Sequence, residues 1–342
     1  MEQLTDGTLM LELMLRPAFR VKNHTITGLN QSAAKLFLRE GVSLDAILES
    51  GREEYDAFSG GMLCLTLNIS GQRFGASVVR MDGEDVFLLD QQFENEQLRV
   101  LALAARELRA PLSSAMLAAQ QLTGERASQI TRSLYQLLRI VGNMSDASGI
   151  SPAFFPERQN IGALFREIGE KAAVLSETSG IHICYSGLAE EAICVVDRQM
   201  MERAVLNLLA NARKFTPKGG EIQMALRRSG KQFRFSVTDS GSGIPEQERA
   251  TLFSRYLRDP AIEDTRHGIG LGMLLVRNTA ARHGGAVLVD FPEGLGTRVT
   301  MTFTDAPGDD SRLQARQPRA DYAGEQDHAL IELSEFLPLS YY

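Results

Sequence analysis

The chain of 342 residues carries 36 lysines and arginines against 43 aspartates and glutamates, a formal net charge of −7, with 44% hydrophobic and 23% charged residues. Such a length admits two or three domains with a core each, and the acidic balance argues against nonspecific nucleic-acid binding, which needs a basic face. No apolar run approaches the ~18 residues that cross a bilayer, and Met1-Glu-Gln-Leu-Thr lacks the basic start of a secretion signal, so a cytoplasmic chain without membrane insertion is expected.

In chain order, residues 1–93 read as a small α/β module. The spacing predicts a strand at 18–22, a turn at Asn23-His24-Thr25, and a helix capped by Asn30 in Asn30-Gln-Ser-Ala-Ala-Lys-Leu-Phe. Three strand candidates follow at 63–69, 72–79 and 85–89, with Gly71 and Asp82-Gly83 supplying the turns. A strand, short helices and a three-stranded meander resemble a PAS sensory domain. Cys64, Cys184 and Cys194 are widely spaced and form no Cys-x-x-Cys pair, so reduced small hydrophobes are expected rather than disulfides or a zinc site.

Residues 94–150 change to a helical pattern. Leu98, Leu101, Ala105, Leu108, Leu112, Met116 and Ala119 fall on one stripe, which resumes after Gly124 with Ala127, Ile130, Leu134, Leu137 or Leu138, Val141 and Met144. A two-helix hairpin this thin buries its apolar face poorly alone, so a homodimer with a four-helix bundle is expected. The alternative is a hairpin packed on the flanking domains of its own chain.

Residues 155–305 alternate helical segments (161–178, 198–215) with strands near 181–185, 221–227, 232–239, 286–290 and 297–303, an α/β sandwich. The chain as a whole thus reads as an α+β multidomain protein. The remaining 306–342 form a tail: the stretch 305–325 that leads into it has a composition that predicts disorder, and Ala329-Leu-Ile-Glu-Leu-Ser-Glu-Phe-Leu is amphipathic enough to dock.

Four motifs stand in order within the sandwich. Asn207, Asn211 and Lys214 in Asn207-Leu-Leu-Ala-Asn211-Ala-Arg-Lys214 share one helix face. An amide oxygen there can ligate Mg²⁺, and a lysine one turn on can neutralise phosphate. Asp239-Ser-Gly241-Ser-Gly243 ends an alternating strand, where a carboxylate can accept the adenine amino hydrogens and glycines admit the ring closely. Gly268-Ile-Gly270-Leu-Gly272 precedes an apolar helix, so its backbone N–H groups form an anion cradle. Gly294-Leu-Gly-Thr297 opens the last strand and brings a hydroxyl near the adenine. Residues 245–267 read as a lid.

These motifs resemble the N, G1 and G2 boxes and the terminal Gly-Thr of the histidine-kinase, gyrase and Hsp90 ATPase superfamily, and Leu252-Phe253-Ser-Arg-Tyr256 resembles the F box of histidine kinases. With the hairpin and the PAS-like start, the chain is similar to a sensor histidine kinase over residues 1–305. The resemblance implies ATP and Mg²⁺ as cofactors, with Asn211 on the metal, Asp239 on the adenine and Gly268, Gly270 and Gly272 on the phosphates. It also implies a response regulator or a partner kinase.

The first hairpin helix departs from that family. Ala104-Ala-Arg106-Glu107-Leu-Arg-Ala110-Pro111-Leu keeps the scaffold of the phosphoacceptor box, Glu107 included, yet Arg106 stands at the acceptor position. A guanidinium stays protonated and offers no lone pair for attack on a γ-phosphate. Ala110 replaces the polar residue expected four positions later. None of His24, His182, His267, His283 and His328 lies between Glu96 and Ile150. The expectation is a histidine kinase relative that binds Mg-ATP and does not phosphorylate itself at the usual position. Two alternatives stay open: transfer to a partner's histidine or serine, and an ATP-gated scaffold that sequesters a response regulator.

Overall fold

The structure is a computed structural model describing residues 11, 14, 16–81, 83–89, 92–147, 154–177, 180–188, 192–244, 271–304 and 327–342, with backbone alone for 92–99, 146 and 147. The N-terminal module comprises β1 (Ala18–Lys22), β2 (Thr25–Leu29), α1 (Gln31–Ala34), β3 (Leu48–Ser50), α2 (Arg52–Asp56), β4 (Met62–Ile69), β5 (Gln72–Met81) and β6 (Glu84–Leu89). Asn23 and His24 turn β1 into β2 at positive φ. Asn30 caps α1 through Ala33 N–H and is buried, with its amide nitrogen donating to the carbonyls of Met14 and Arg16.

Helices α3 (Gln92–Ala119) and α4 (Glu125–Ala147) form the hairpin. Ala105, Met116, Ala119, Ala127, Leu138 and Val141 are buried as the stripe predicts, whereas Leu108, Ile130 and Leu137 are exposed. They join Val100, Leu103 and Leu117 in presenting apolar surface to solvent. One chain therefore buries only part of the hairpin's apolar surface.

The third part comprises β7 (Glu157–Asn160), α5 (Ile161–Ser176), β8 (His182–Ser186), β9 (Ile193–Val196), α6 (Arg198–Phe215), β10 (Glu221–Ser229), β11 (Gln232–Asp239), α7 (Gly272–Arg282), β12 (Val287–Asp290) and β13 (Arg298–Thr304). Helices α5, α6 and α7 share a core with this sheet, centred on Phe165, Phe233, Phe235 and Phe303. The pair β7 and β9 was not expected from the sequence, because Glu-Arg-Gln-Asn offers no apolar periodicity.

One sheet crosses both modules, in the order β2-β1-β6-β5-β4-β12-β13-β11-β10-β8, with β3 also pairing β4. The joint pairs Val287 with Cys64, Leu288 with Leu63 and Val289 with Met62, antiparallel. Strand β4 is apolar on both sides because its faces serve two cores. Leu63, Leu65 and Leu67 enter the N-terminal core, and Met62 and Cys64 enter the sandwich core. Gly61, at φ +81, lies so close to the Val289 carbonyl that a Cβ there would collide. The docking is reinforced by Glu54 of α2, which accepts hydrogen bonds from Gln232 Nε2 at 2.9 Å and from the Thr302 hydroxyl.

The segment 327–342 contributes α8 (His328–Glu332), capped by Asp327 on Ala329 N–H. Its apolar residues Ala329, Leu333 and Leu337 join the sandwich core, while Ile331 packs with Met116, Tyr135 and Leu138 of the hairpin. The amphipathic pattern around 329–337 thus has its docking place, between hairpin and sandwich. Among the described residues no helix is long and apolar enough to cross a membrane.

Candidate nucleotide site

Helix α6 is the spine of the site. It starts on Asp197, whose carboxylate accepts Met200 N–H at 3.1 Å, and it ends with the Thr216 hydroxyl donating to Ala212 O at 2.7 Å. Arg213 and Lys214 occupy its last turn, where cations complement the helix dipole. Asn207 is buried, and its amide nitrogen donates to Arg203 O at 3.0 Å and to Glu332 Oε2 at 3.4 Å. Its oxygen faces the start of α7: a Cβ on Gly272 would stand 2.6 Å from Asn207 Oδ1, so this approach requires glycine. Asn211 and Lys214 are half-buried further along, and Lys214 Nζ lies 5.6 Å from the Phe215 ring centre.

A second cluster closes around Asp239 at the end of β11. Asp239 is 6% exposed, and its Oδ1 accepts Gly241 N–H at 2.8 Å and Thr297 N–H at 3.2 Å. The backbones interlock as well, with Asp239 N–H donating to Thr297 O at 2.9 Å and Gly296 N–H to Asp239 O at 2.8 Å. Gly296 lies directly against the carboxylate, and Gly243, at φ +72, lies beside the Gly296 carbonyl. Burial pushes the Asp239 carboxyl above the usual carboxylate range, and the two backbone donors partly oppose that shift. Both donors use Oδ1. Among the described residues Oδ2 receives no hydrogen bond, which leaves an acceptor suited to an exocyclic amine.

The two clusters meet at α6. Gly241 packs so closely on the helix that a Cβ would stand 2.5 Å from the Phe215 carbonyl oxygen. The structure therefore brings Asp239, Gly241, Gly243 and Thr297 together and seats Asn207 against Gly272, with Asn211 and Lys214 on the helix between. Gly268, Gly270, His267, the lid and the F-box-like stretch 252–256 lie outside the described residues. His283 caps the C-terminal end of α7. Its Nε2 accepts Asp197 N–H at 3.0 Å and its Nδ1–H donates to Thr279 O at 2.7 Å, and burial lowers its pKa.

Arg106, Glu107 and Ala110 are exposed on α3. The hairpin reaches the site instead through Leu101 and Met144, which pack on Leu271 and Leu274 at the start of α7. Arg203 Nη2 adds a hydrogen bond to Asn143 Oδ1 at 3.0 Å. Glu332 is the residue that sequence reasoning missed: 125 positions separate it from Asn207, and no local motif marks it.

The α/β sandwich thus carries a strand-end carboxylate at Asp239, a facing Gly-Thr turn at Gly296 and Thr297, and a helix with Asn207 and Asn211 on it. Residues 196–307 match the family described as Histidine kinase-, DNA gyrase B-, and HSP90-like ATPase. Among individual proteins, the chain is 30% identical over 240 residues to the adaptive-response sensory kinase SasA of Parasynechococcus marenigrum strain WH8102, covering 64% of this chain and 61% of SasA. It is 26% identical over 211 residues to the sensor protein KdpD of Clostridium acetobutylicum, covering 57% of this chain and 23% of KdpD. The chain thus spans about three-fifths of the SasA it resembles. Full-length ShkA, solved in complex with AMPPNP, is similar with a TM-score of 0.50 and 25% identity, over 61% of this chain and 46% of ShkA. The likenesses to sensory kinases thus cover 57% and 64% of this chain, and the likeness to the ATPase family covers residues 196–307.

Proposed function

We propose that the chain is a sensor-kinase-type signalling protein that binds Mg²⁺-ATP and does not phosphorylate itself at the usual position on α3. The observation that carries the reading is the Asp239 clasp. Both backbone donors fall on one oxygen of this largely buried carboxylate, which leaves the other oriented to accept from a ligand entering the site. In this reading Asp239 holds the adenine amino group between Gly241 and Thr297. Asn211 and Lys214 attend the metal and the phosphates, and the 268–272 loop cradles the phosphate chain. ATP supplies a transferable phosphoryl group, but Arg106 offers no nucleophile to receive it.

The remaining parts follow from the same reading. The N-terminal module serves as a PAS-like sensor, and the exposed apolar face of the hairpin pairs two copies in a four-helix bundle. The signal then passes by conformation to a response regulator or to an active partner kinase. Calorimetric titration with ATP, with and without Mg²⁺, tests the nucleotide reading. The wild type binds, Asp239→Asn abolishes binding, and Asn211→Ala removes the dependence on Mg²⁺. Wild-type-like binding by Asp239→Asn would overturn the placement of the adenine.

A further inference from the structure

Glu332 is fully buried at the junction of three parts of the molecule. Its Oε2 lies 3.5 Å from Arg139 Nε of the hairpin helix α4 and its Oε1 lies 3.6 Å from Arg203 Nε of α6. The same Oε2 accepts the Asn207 amide at 3.4 Å. A carboxylate out of water must be paired and hydrogen-bonded, and each of its partners is in turn fixed by it. The Asn207 amide nitrogen is held by Arg203 O at 3.0 Å and by Glu332 together, which turns the amide oxygen to Gly272, the last glycine of the phosphate-loop motif. The segment is anchored around this hub by Lys171 on Asp327 at 2.9 Å, by Arg139 on Glu335 at 3.0 Å, and by the Arg213 guanidinium over the Phe336 ring.

We propose that Glu332 is a positioning residue for the phosphate end of the nucleotide site, and that through it hairpin docking and nucleotide occupancy are coupled. The proposal rests on the nucleotide reading above. Its physical content is linkage: Glu332 touches the hairpin through Arg139 and the site through Asn207. Whatever loosens one contact weakens the other, and the coupling is reciprocal. Because Asn207 stands by Gly272 and not by Asp239, the effect is confined to ligands that carry phosphates.

The test uses the full chain and fluorescence titration with N-methylanthraniloyl-ATP and Mg²⁺, alongside displacement by adenosine, for the wild type, Glu332→Gln, Arg139→Gln and Lys171→Ala. Glu332→Gln keeps the shape and a hydrogen-bond acceptor, and a cooperative thermal transition confirms that it is folded. It is expected to weaken the ATP analogue about five- to tenfold while leaving adenosine unchanged. Arg139→Gln, which removes the hairpin's ion pairs to both Glu332 and Glu335, is expected to weaken the analogue two- to threefold. Lys171→Ala, which loosens the segment away from the hub, leaves both ligands unchanged. Folded Glu332→Gln with wild-type affinity for the analogue overturns the proposal, as does an equal loss for analogue and adenosine, which marks a general structural role. A wild type that binds neither ligand overturns the proposed function, and the positioning role with it.

Discussion

A carboxylate buried as Asp239 is works against its own fold when ionised. Its folded pKa is raised, so the folded state holds the proton more tightly than the unfolded chain. Its contribution is therefore most favourable below the unfolded value near 3.9 and is lost as pH rises through the folded one. Asp239→Asn keeps an oxygen for Gly241 and Thr297 and removes the charge. Its melting temperature, relative to wild type, should rise as pH increases above about 4 and then level off, while nucleotide binding is lost. A melting-temperature difference between variant and wild type that stays constant from about pH 4 to neutral pH would contradict this. His283 has the opposite sign: its folded pKa is lowered, so its contribution is complete above the unfolded value near 6.5 and is lost as pH falls below it. Denaturation midpoints measured between about pH 7.5 and 5 should fall for the wild type, and His283→Gln should flatten that slope.

At the scale of elements, the joint between β4 and β12 depends on Gly61. Gly61→Ala imposes a Cβ at φ +81 against the Val289 carbonyl and should cost about 1–3 kcal/mol, with faster hydrogen exchange at 287–289. Unchanged exchange there would show that the joint does not depend on this glycine. The apolar run 63–69 identifies a strand, and burial on both faces is implicit in its composition. The partner is not implicit, since β12 lies more than two hundred residues away and pairs through backbone groups that any sequence carries. Asn30 is similar. Its cap on α1 is legible because cap and helix are adjacent, whereas its bonds to Met14 and Arg16 are not. The nucleotide motifs are legible for the same reason as the cap. Asp239 with its glycines and Asn207 with Asn211 each sit within one short stretch, so residue type and spacing already group them. Their mutual placement around α6 comes from the fold, and Glu332 has no local signal at all.

At the scale of the molecule, the hairpin has two apolar faces. One carries Met116, Tyr135 and Leu138 under Ile331, and the other exposes Val100, Leu103 and Leu117. Leu103 and Leu117 are two heptads apart, the repeat of a helical seam. The chain should therefore elute as a dimer in light-scattering chromatography, and the double variant Leu103→Glu, Leu117→Glu should elute as a folded monomer. A monomeric wild type would remove the four-helix bundle from the account. The central claim is that nucleotide is bound while the α3 position stays silent. The measurement that meets it most directly is incubation of the purified chain with γ-labelled ATP and Mg²⁺, following bound nucleotide, free phosphate and label on the protein together. The account predicts bound nucleotide and no label on the protein. Acid-labile, base-stable label on the wild-type chain would contradict it, since that is the signature of a phosphorylated histidine the reading does not contain.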